Sequence, residues 1–147
     1  LVGGGPHREA LEAHFADTAT HFVGYLRGLE LASAYASADA FVFPSRTETL
    51  GLVLLEAMAA GCPVVAAGTG GITDIVTDGA NGYLFDPTDE AGAIRATQRL
   101  LDNTEERETL RSNARQEAER WGWQAATRNL QQYYRGVMTA GQLPSAA

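Results

Sequence analysis

Two carboxylates stand eight residues apart in the stretch Phe43-Pro44-Ser45-Arg46-Thr47-Glu48-Thr49-Leu50-Gly51-Leu52-Val53-Leu54-Leu55-Glu56. Glu48 falls in the loop that follows an apolar run. Glu56 falls inside an almost wholly apolar helical segment, where a carboxylate needs a hydrogen-bond partner to offset the water it gives up. No arginine lies within a turn of it on that segment, so a ligand, a distant arginine or solvent must serve. On a helix that spans both, eight residues correspond to roughly 80° of rotation and ~12 Å of rise. That matches poorly the carboxyl pairs of glycosidases, which lie ~5 to 9.5 Å apart across one bond. It suits a long ligand lying along the helix, touched by Glu48 at one end and by Glu56 at the other. Between them the amides of Thr49, Leu50 and Gly51 open the helix as an anion site, and Gly51 lets a ligand approach the backbone. Sugar, diphosphate and ribose diol match glutamate, amides and glutamate in that order.

The elements that must position these residues alternate along the chain. Leu1-Val2 reads as the end of a strand that runs into the Gly3-Gly4-Gly5-Pro6 turn, which puts the natural domain boundary upstream. A short amphipathic helix around Leu11 and Phe15 follows, then a strand over 20–23, a helix over 29–37 and an apolar strand over 40–43 that Pro44 stops. An apolar helix over 50–60 ends at Gly61 and leads to a buried strand over 63–67. Gly68, Gly70 and Gly71 open the next loop, followed by a short helix over 72–76, a turn over 78–82 and a short strand over 83–85. Strands that are apolar throughout and separated by helices predict a parallel sheet covered on both faces, a doubly wound α/β domain. Three helical segments near 90–101, 104–120 and 123–138 form a C-terminal extension. Within it, Glu108, Arg111, Arg115 and Glu119 are spaced as a solvated face, and Trp121 and Trp123 read as core anchors. Residues 1–138 are expected to form one nucleotide-sugar-binding domain, truncated at its N-terminal edge, with 139–147 a disordered tail.

Composition narrows the partners. The net charge is −7 and every cation among the Lys and Arg residues is an arginine. Residues 1–92 carry three arginines against twelve carboxylates, and residues 93–147 carry eight against six. An acidic surface repels polyanions, so nucleic acid is not an expected partner. Any phosphorylated ligand must then draw positive charge from backbone amides, helix ends or protein outside this chain. The single cysteine, Cys62, allows no internal disulfide and no multi-cysteine metal site. His7, His14 and His21 recur every seven residues, but His21 falls on the next strand and no cysteine supports them, so no metal is expected. Arg8 stands where a dinucleotide-binding fingerprint after Gly3 requires its third glycine. No run is long and apolar enough for a membrane span.

The two glutamates, preceded by Pro44-Ser45 and followed by Ala57-Met58-Ala59-Ala60-Gly61-Cys62-Pro63-Val64-Val65, closely resemble the signature of family-4 retaining glycosyltransferases of the GT-B fold. The resemblance extends to Gly3-Gly4-Gly5-Pro6, Phe22-Val23-Gly24-Tyr25-Leu26, Gly70-Gly71-Ile72, Asp78-Gly79 and Asn81-Gly82. It implies that the chain is the Rossmann-like, donor-binding C-terminal lobe of a transferase that moves sugar from a nucleotide diphosphate sugar to an acceptor. Glu48 would hold the donor sugar and act as the catalytic glutamate. Thr49, Leu50 and Gly51 would meet the sugar and diphosphate, with Gly4 also in the donor site. Glu56 would bind the ribose, and Tyr25 and Leu26 would lie near the base. The resemblance implies no metal, no cofactor and no assigned nucleophile.

A basic clamp on the diphosphate and an acceptor-binding N-terminal domain belong to such proteins and lie outside this chain, so the chain alone is expected to be inactive. Glu48-Thr49-Leu50-Gly51, Leu31-Ala32-Ser33-Ala34-Tyr35-Ala36-Ser37 and Trp123-Gln124-Ala125-Ala126-Thr127 are similar to the sulfolipid branch of the family. That implies UDP-sulfoquinovose as donor, diacylglycerol as lipid acceptor, and a cytoplasmic or plastid stromal location peripheral to a membrane. The alternatives are another transferase of the family using UDP-glucose or GDP-mannose, a nucleotide-sugar epimerase, and a freestanding nucleotide-binding module.

Overall fold

The structure, a computed structural model, describes residues 1–140; of the tail expected to be disordered, 139–147, residues 139 and 140 close the last helix and 141–147 lie outside the described residues. The chain divides into two compact units at Ala34/Tyr35, a division that falls within the second helix.

In the first unit, α1 covers Arg8–His14 and α2, Gly28–Ser37, begins. The expected strands at Leu1-Val2 and 20–23 are not strands. They are extended segments joined by one parallel bridge, Val2 to Gly24, with Gly3 N donating to Gly24 O at 2.7 Å and Val23 N to Leu1 O at 3.1 Å. Gly24 holds φ +75 at the bridge, a left-handed conformation that takes the chain out of extended geometry at that point. Arg8 Nη2 donates to Phe22 O at 3.1 Å, tying α1 to the second extended segment.

The second unit carries the sheet. β1 (Phe41–Phe43), β2 (Val64–Ala67) and β3 (Gly82–Phe85) are all parallel in the order β1-β2-β3, with Phe41 opposite Val64 and Val64 opposite Gly82. α3 (Leu52–Ala59) and α4 (Ile72–Ile75) make the crossovers, and α5 (Glu90–Asp102), α6 (Thr104–Arg120) and α7 (Trp123–Ala140) follow. β2 is buried at every residue because both of its faces are covered. Val64 and Ala66 pack with Leu54, Ala57 and Met58 of α3, Ile72 and Ile75 of α4, and Ala114 and Ala118 of α6. Val65 turns the other way, to Tyr83, Leu100 of α5 and Leu110 of α6. The doubly wound α/β sheet and the helical extension are therefore present as the apolar strands imply.

Side-chain caps mark where the extension's helices begin. Asp89 Oδ1 accepts from Gly92 N at 2.9 Å at the start of α5, and Asn103 Oδ1 accepts from Glu106 N at 3.1 Å at the start of α6. Two expectations about this region need correction. Trp123 is 89% exposed and Trp121 40% exposed, its indole Nε1 donating to Glu117 Oε1, because α7 meets little beyond α6 and leaves that face open among the described residues. Arg111 does not lie on a solvated face. Its guanidinium reaches inward to Ala38 O at 2.8 Å and Gly61 O at 3.1 Å, while Arg115 donates to Ala59 O at 3.2 Å. Two arginines of α6 thus satisfy carbonyls at the C-terminal end of α3, where a cation is also favoured by the helix dipole.

Candidate functional site

In a parallel sheet every strand points the same way, so the loops after β1, β2 and β3 emerge at one edge. Open α/β sheets bind ligands outside that carboxyl edge. The loop after β1 holds Glu48 and leads to α3 through Gly51, whose φ of +70 is the left-handed value a Cβ would strain. The loop after β2 is Gly68-Thr69-Gly70-Gly71, and Asp86-Pro87-Thr88-Asp89 follows β3. Thr69 Oγ1 lies 3.4 Å from Arg46 O, and Gly68 N donates to Phe85 O at 2.8 Å, so the three loops are joined.

The amides of Thr49, Leu50 and Gly51 converge on one point, as an anion site requires. They are not free. Glu48 Oε1 itself accepts from Thr49 N at 3.1 Å, Leu50 N at 3.3 Å and Gly51 N at 2.9 Å. The Gly51 and Leu50 amides hold the Glu48 carboxyl below the usual carboxylate range. A carboxylate already sits where an incoming anion would, so the turn binds negative charge in this very structure. Asp86 is also held low, chiefly by the hydroxyl and amide of Thr88 and to a smaller degree by Arg46.

Glu56 departs from its expected setting. α3 turns Leu54, Ala57 and Met58 into the core and leaves Leu52, Glu56 and Ala59 exposed, one stripe at i, i+4 and i+7. Glu56 therefore faces water and needs no partner to be stable there, although the apolar run around it suggested burial. α3 also begins only at Leu52, so Glu48 lies in the loop and not on a helix shared with Glu56. Close to Glu56 is Tyr35, whose ring stands edge-on to Phe41 at 5.3 Å. Burial first, and then the Glu56 charge, push the Tyr35 hydroxyl pKa up.

Gly4, Tyr25 and Leu26 belong to the first unit, and the structure brings the first two together. Tyr25 Oη donates to Gly4 O at 2.9 Å, and a Cβ on Gly4 would lie 3.0 Å from the Tyr25 ring. Tyr25 is largely exposed and Leu26 half-buried. Among the described residues, no three His, Cys, Asp or Glu side chains are grouped to hold a metal ion. Three contributors escaped sequence reasoning: the contact of Gly70 and Gly71 with the Glu48 turn, the inward reach of Arg111, and the nearness of Tyr35 to Glu56. Only the glycine pair left a signal, two adjacent residues without side chains in a loop at the sheet edge.

An open parallel sheet with an anion-holding turn at the end of a strand is the layout of a ligand-binding α/β lobe. The chain belongs to the family described as glycosyl transferases group 1, whose family model matches residues 1–117. It is 47% identical over 133 residues to sulfoquinovosyl transferase SQD2 of Arabidopsis thaliana, covering 88% of this chain and 26% of that protein. Among solved structures it is similar to sucrose-phosphate synthase from Thermosynechococcus elongatus, with a TM-score of 0.80 and 32% identity over 95% of this chain and 38% of that one. It is also similar to Anabaena HepE in complex with UDP, with a TM-score of 0.77 and 26% identity over 95% of this chain and 40% of that one. The chain thus spans about a quarter of the curated relative, and the fold is that of a GT-B glycosyltransferase lobe.

Proposed function

We propose that this chain is the donor-binding half of a retaining glycosyltransferase, taking a nucleotide diphosphate sugar and delivering the sugar to an acceptor held by a separate N-terminal domain. The observation that carries this reading is the turn of three convergent amides at Thr49–Gly51, filled by the Glu48 carboxylate and set ahead of a helix that exposes Glu56. A diphosphate or sugar oxygen entering the turn displaces the Glu48 carboxylate, which is then free to accept a hydrogen bond from a donor-sugar hydroxyl. Glu56 accepts from the ribose hydroxyls, and Leu50 and Leu52, both exposed, give the ligand an apolar floor. The resemblance to the family also gives Gly4, Tyr25 and Leu26 of the first unit donor-binding roles, Tyr25 and Leu26 toward the base. No metal takes part, since amides and a basic clamp outside this chain carry the phosphate charge.

The donor we propose is UDP-sulfoquinovose and the acceptor diacylglycerol, supported by the likeness to sulfoquinovosyl transferase SQD2. Arg46, exposed in the loop beside Asp86, is the cation available to a sulfonate. The intact protein would then work at a membrane surface from the cytoplasmic or stromal side; among the described residues no helix is long and apolar enough to cross a bilayer. A second reading, UDP-glucose as donor, draws on the HepE structure described as a complex with UDP-glucose, with 28% identity to this chain. Calorimetric titration of the chain with UDP-sulfoquinovose, UDP-glucose and GDP-mannose separates the two. Tightest binding of UDP-sulfoquinovose is expected, and equal or tighter binding of GDP-mannose sinks both.

A further inference from the structure

The loop after β2 meets the Glu48 turn with bare backbone. A Cβ on Gly71 would come closer to Thr49 O than the 3.0 Å that Cβ atoms keep from other heavy atoms, and would also lie 3.5 Å from Leu50 Cα. A Cβ on Gly70 would collide in the same way with Glu48 O. The obstacles are main-chain atoms, which cannot rotate aside as a side chain would. Two successive residues therefore press against the carbonyls of Glu48 and Thr49, on the peptide units whose N–H groups converge on the Glu48 carboxylate. Gly71 has an ordinary helical φ of −66, so its lack of a side chain answers to space and not to backbone strain. Gly68, three residues earlier in the same loop, would place a Cβ at an ordinary 3.5 Å from Phe85 O and touches nothing of the turn.

We propose that Gly71, together with Gly70, is a positioning element of the donor site: a side-chain-free seat that fixes the direction of the Thr49–Gly51 amides and, through them, the Glu48 carboxylate. The assignment rests on the donor reading above. Neither glycine contacts the donor. They act by setting the carbonyl positions of residues 48 and 49, so a single methyl group at residue 71 must rotate the Thr49 peptide and spread the three amides apart.

The test measures the Glu48 carboxyl in the 147-residue chain by carbon-detected NMR, alongside the Thr49, Leu50 and Gly51 amide shifts, in wild type, Gly71→Ala and Gly68→Ala. The amides lower the folded pKa of Glu48, so their support is complete above the unfolded glutamate pKa of about 4.3 and is lost as pH falls through the folded value. Wild type and Gly68→Ala are expected to titrate below the ordinary glutamate range. Gly71→Ala is expected to move back toward that range and to shift all three amides, while the β2 and β3 amides stay in place. In the same samples, UDP-glucose affinity is expected to fall tenfold or more in Gly71→Ala while uridine affinity holds. Thr69→Gly, which adds no bulk but removes the hydroxyl that ties the loop carrying Gly70 and Gly71 to Arg46 O, frees that loop from the turn and is expected to shift Glu48 in the same direction even if Gly71→Ala does not fold. An unchanged Glu48 titration in folded Gly71→Ala, or in Thr69→Gly where that is the only folded variant, overturns the proposal. The titration speaks to the seat and the nucleotide titrations to the donor reading, so failure of one is told apart from failure of the other.

Discussion

At Glu56 an apolar neighbourhood in sequence does not become an apolar neighbourhood in space. The run 50–60 is nearly free of polar residues, yet the pitch of α3 puts Glu56 on the same exposed stripe as Leu52 and Ala59. Its charge is therefore available to a ligand at no folding cost. Glu56→Gln is expected to leave the Tm of the chain unchanged and to weaken UDP binding by about 1.5 to 3 kcal/mol, the range of a charged hydrogen bond, or roughly 10- to 150-fold. A lowered Tm with unchanged UDP affinity, read by calorimetry on the same protein, would falsify the ribose role. Glu48→Gln belongs to the other end of the ligand. A neutral amide oxygen holds the three backbone N–H groups less firmly than a carboxylate, so UDP is expected to bind at least as well. Turnover by a protein that joins this chain to its acceptor domain is expected to fall, and a parallel loss of both would show that Glu48 acts by shaping the amide turn and not by holding the sugar. Residue types and spacing pointed to these two positions. They could not reveal that Glu48 folds back on its own amides, because that depends on a side-chain rotamer and on the left-handed φ of Gly51.

Among the elements, those with strong periodicity or clear stop signals were readable. β2 is apolar at every position and is followed by glycine, and α5 and α6 begin just after Asp89 and Asn103, residues whose short side chains cap the first turn. The two extended segments of the first unit were not, since an apolar run such as 20–23 looks the same whether it pairs along its length or through one bridge. Arg111 was illegible for another reason. Its partners Ala38 O and Gly61 O lie 73 and 50 residues away in the chain, and no local pattern encodes contacts at that separation. What Arg111 does is hold the exit of α3 and the entrance to β1 with one planar group, while its Nε stands 3.5 Å from Glu108 Oε1 in an ion pair. Arg111→Met leaves two carbonyls without their charged donor. It is expected to cost about 1.5 to 3 kcal/mol and to lower Tm by roughly 3 to 12 °C in thermal unfolding. A change below one degree would mean that water replaces the guanidinium without loss.

The chain as a whole covers about a quarter of its curated relative, so its proposed chemistry requires groups it does not contain. The 147-residue chain is expected to bind UDP and to transfer no sugar from any of the three donors to diacylglycerol; detectable transfer would place the complete catalytic apparatus inside it. A second whole-molecule property arises at the margin of the sheet. β3 is the last strand of the sheet, and its far side would be an open row of backbone groups but for the turn before it, where Asp78 bridges Gly82 and Gly79 N donates to Gly82 O at 2.8 Å. Such a row is a template on which another chain can add a strand. Here Asp78 Oδ1 accepts from Leu84 N at 2.8 Å, occupying a backbone donor that does not pair with β2, and Pro87 just beyond the strand has no N–H to offer. Asp78→Ala would uncover that N–H and remove a negative charge beside it. The expected result is concentration-dependent assembly, visible as growing light scattering at constant secondary structure, from a protein whose monomer remains fully folded. A carboxylate in a turn remote from the donor residues thus guards colloidal behaviour, and its loss would show in the storage life of the protein long before it showed in ligand binding.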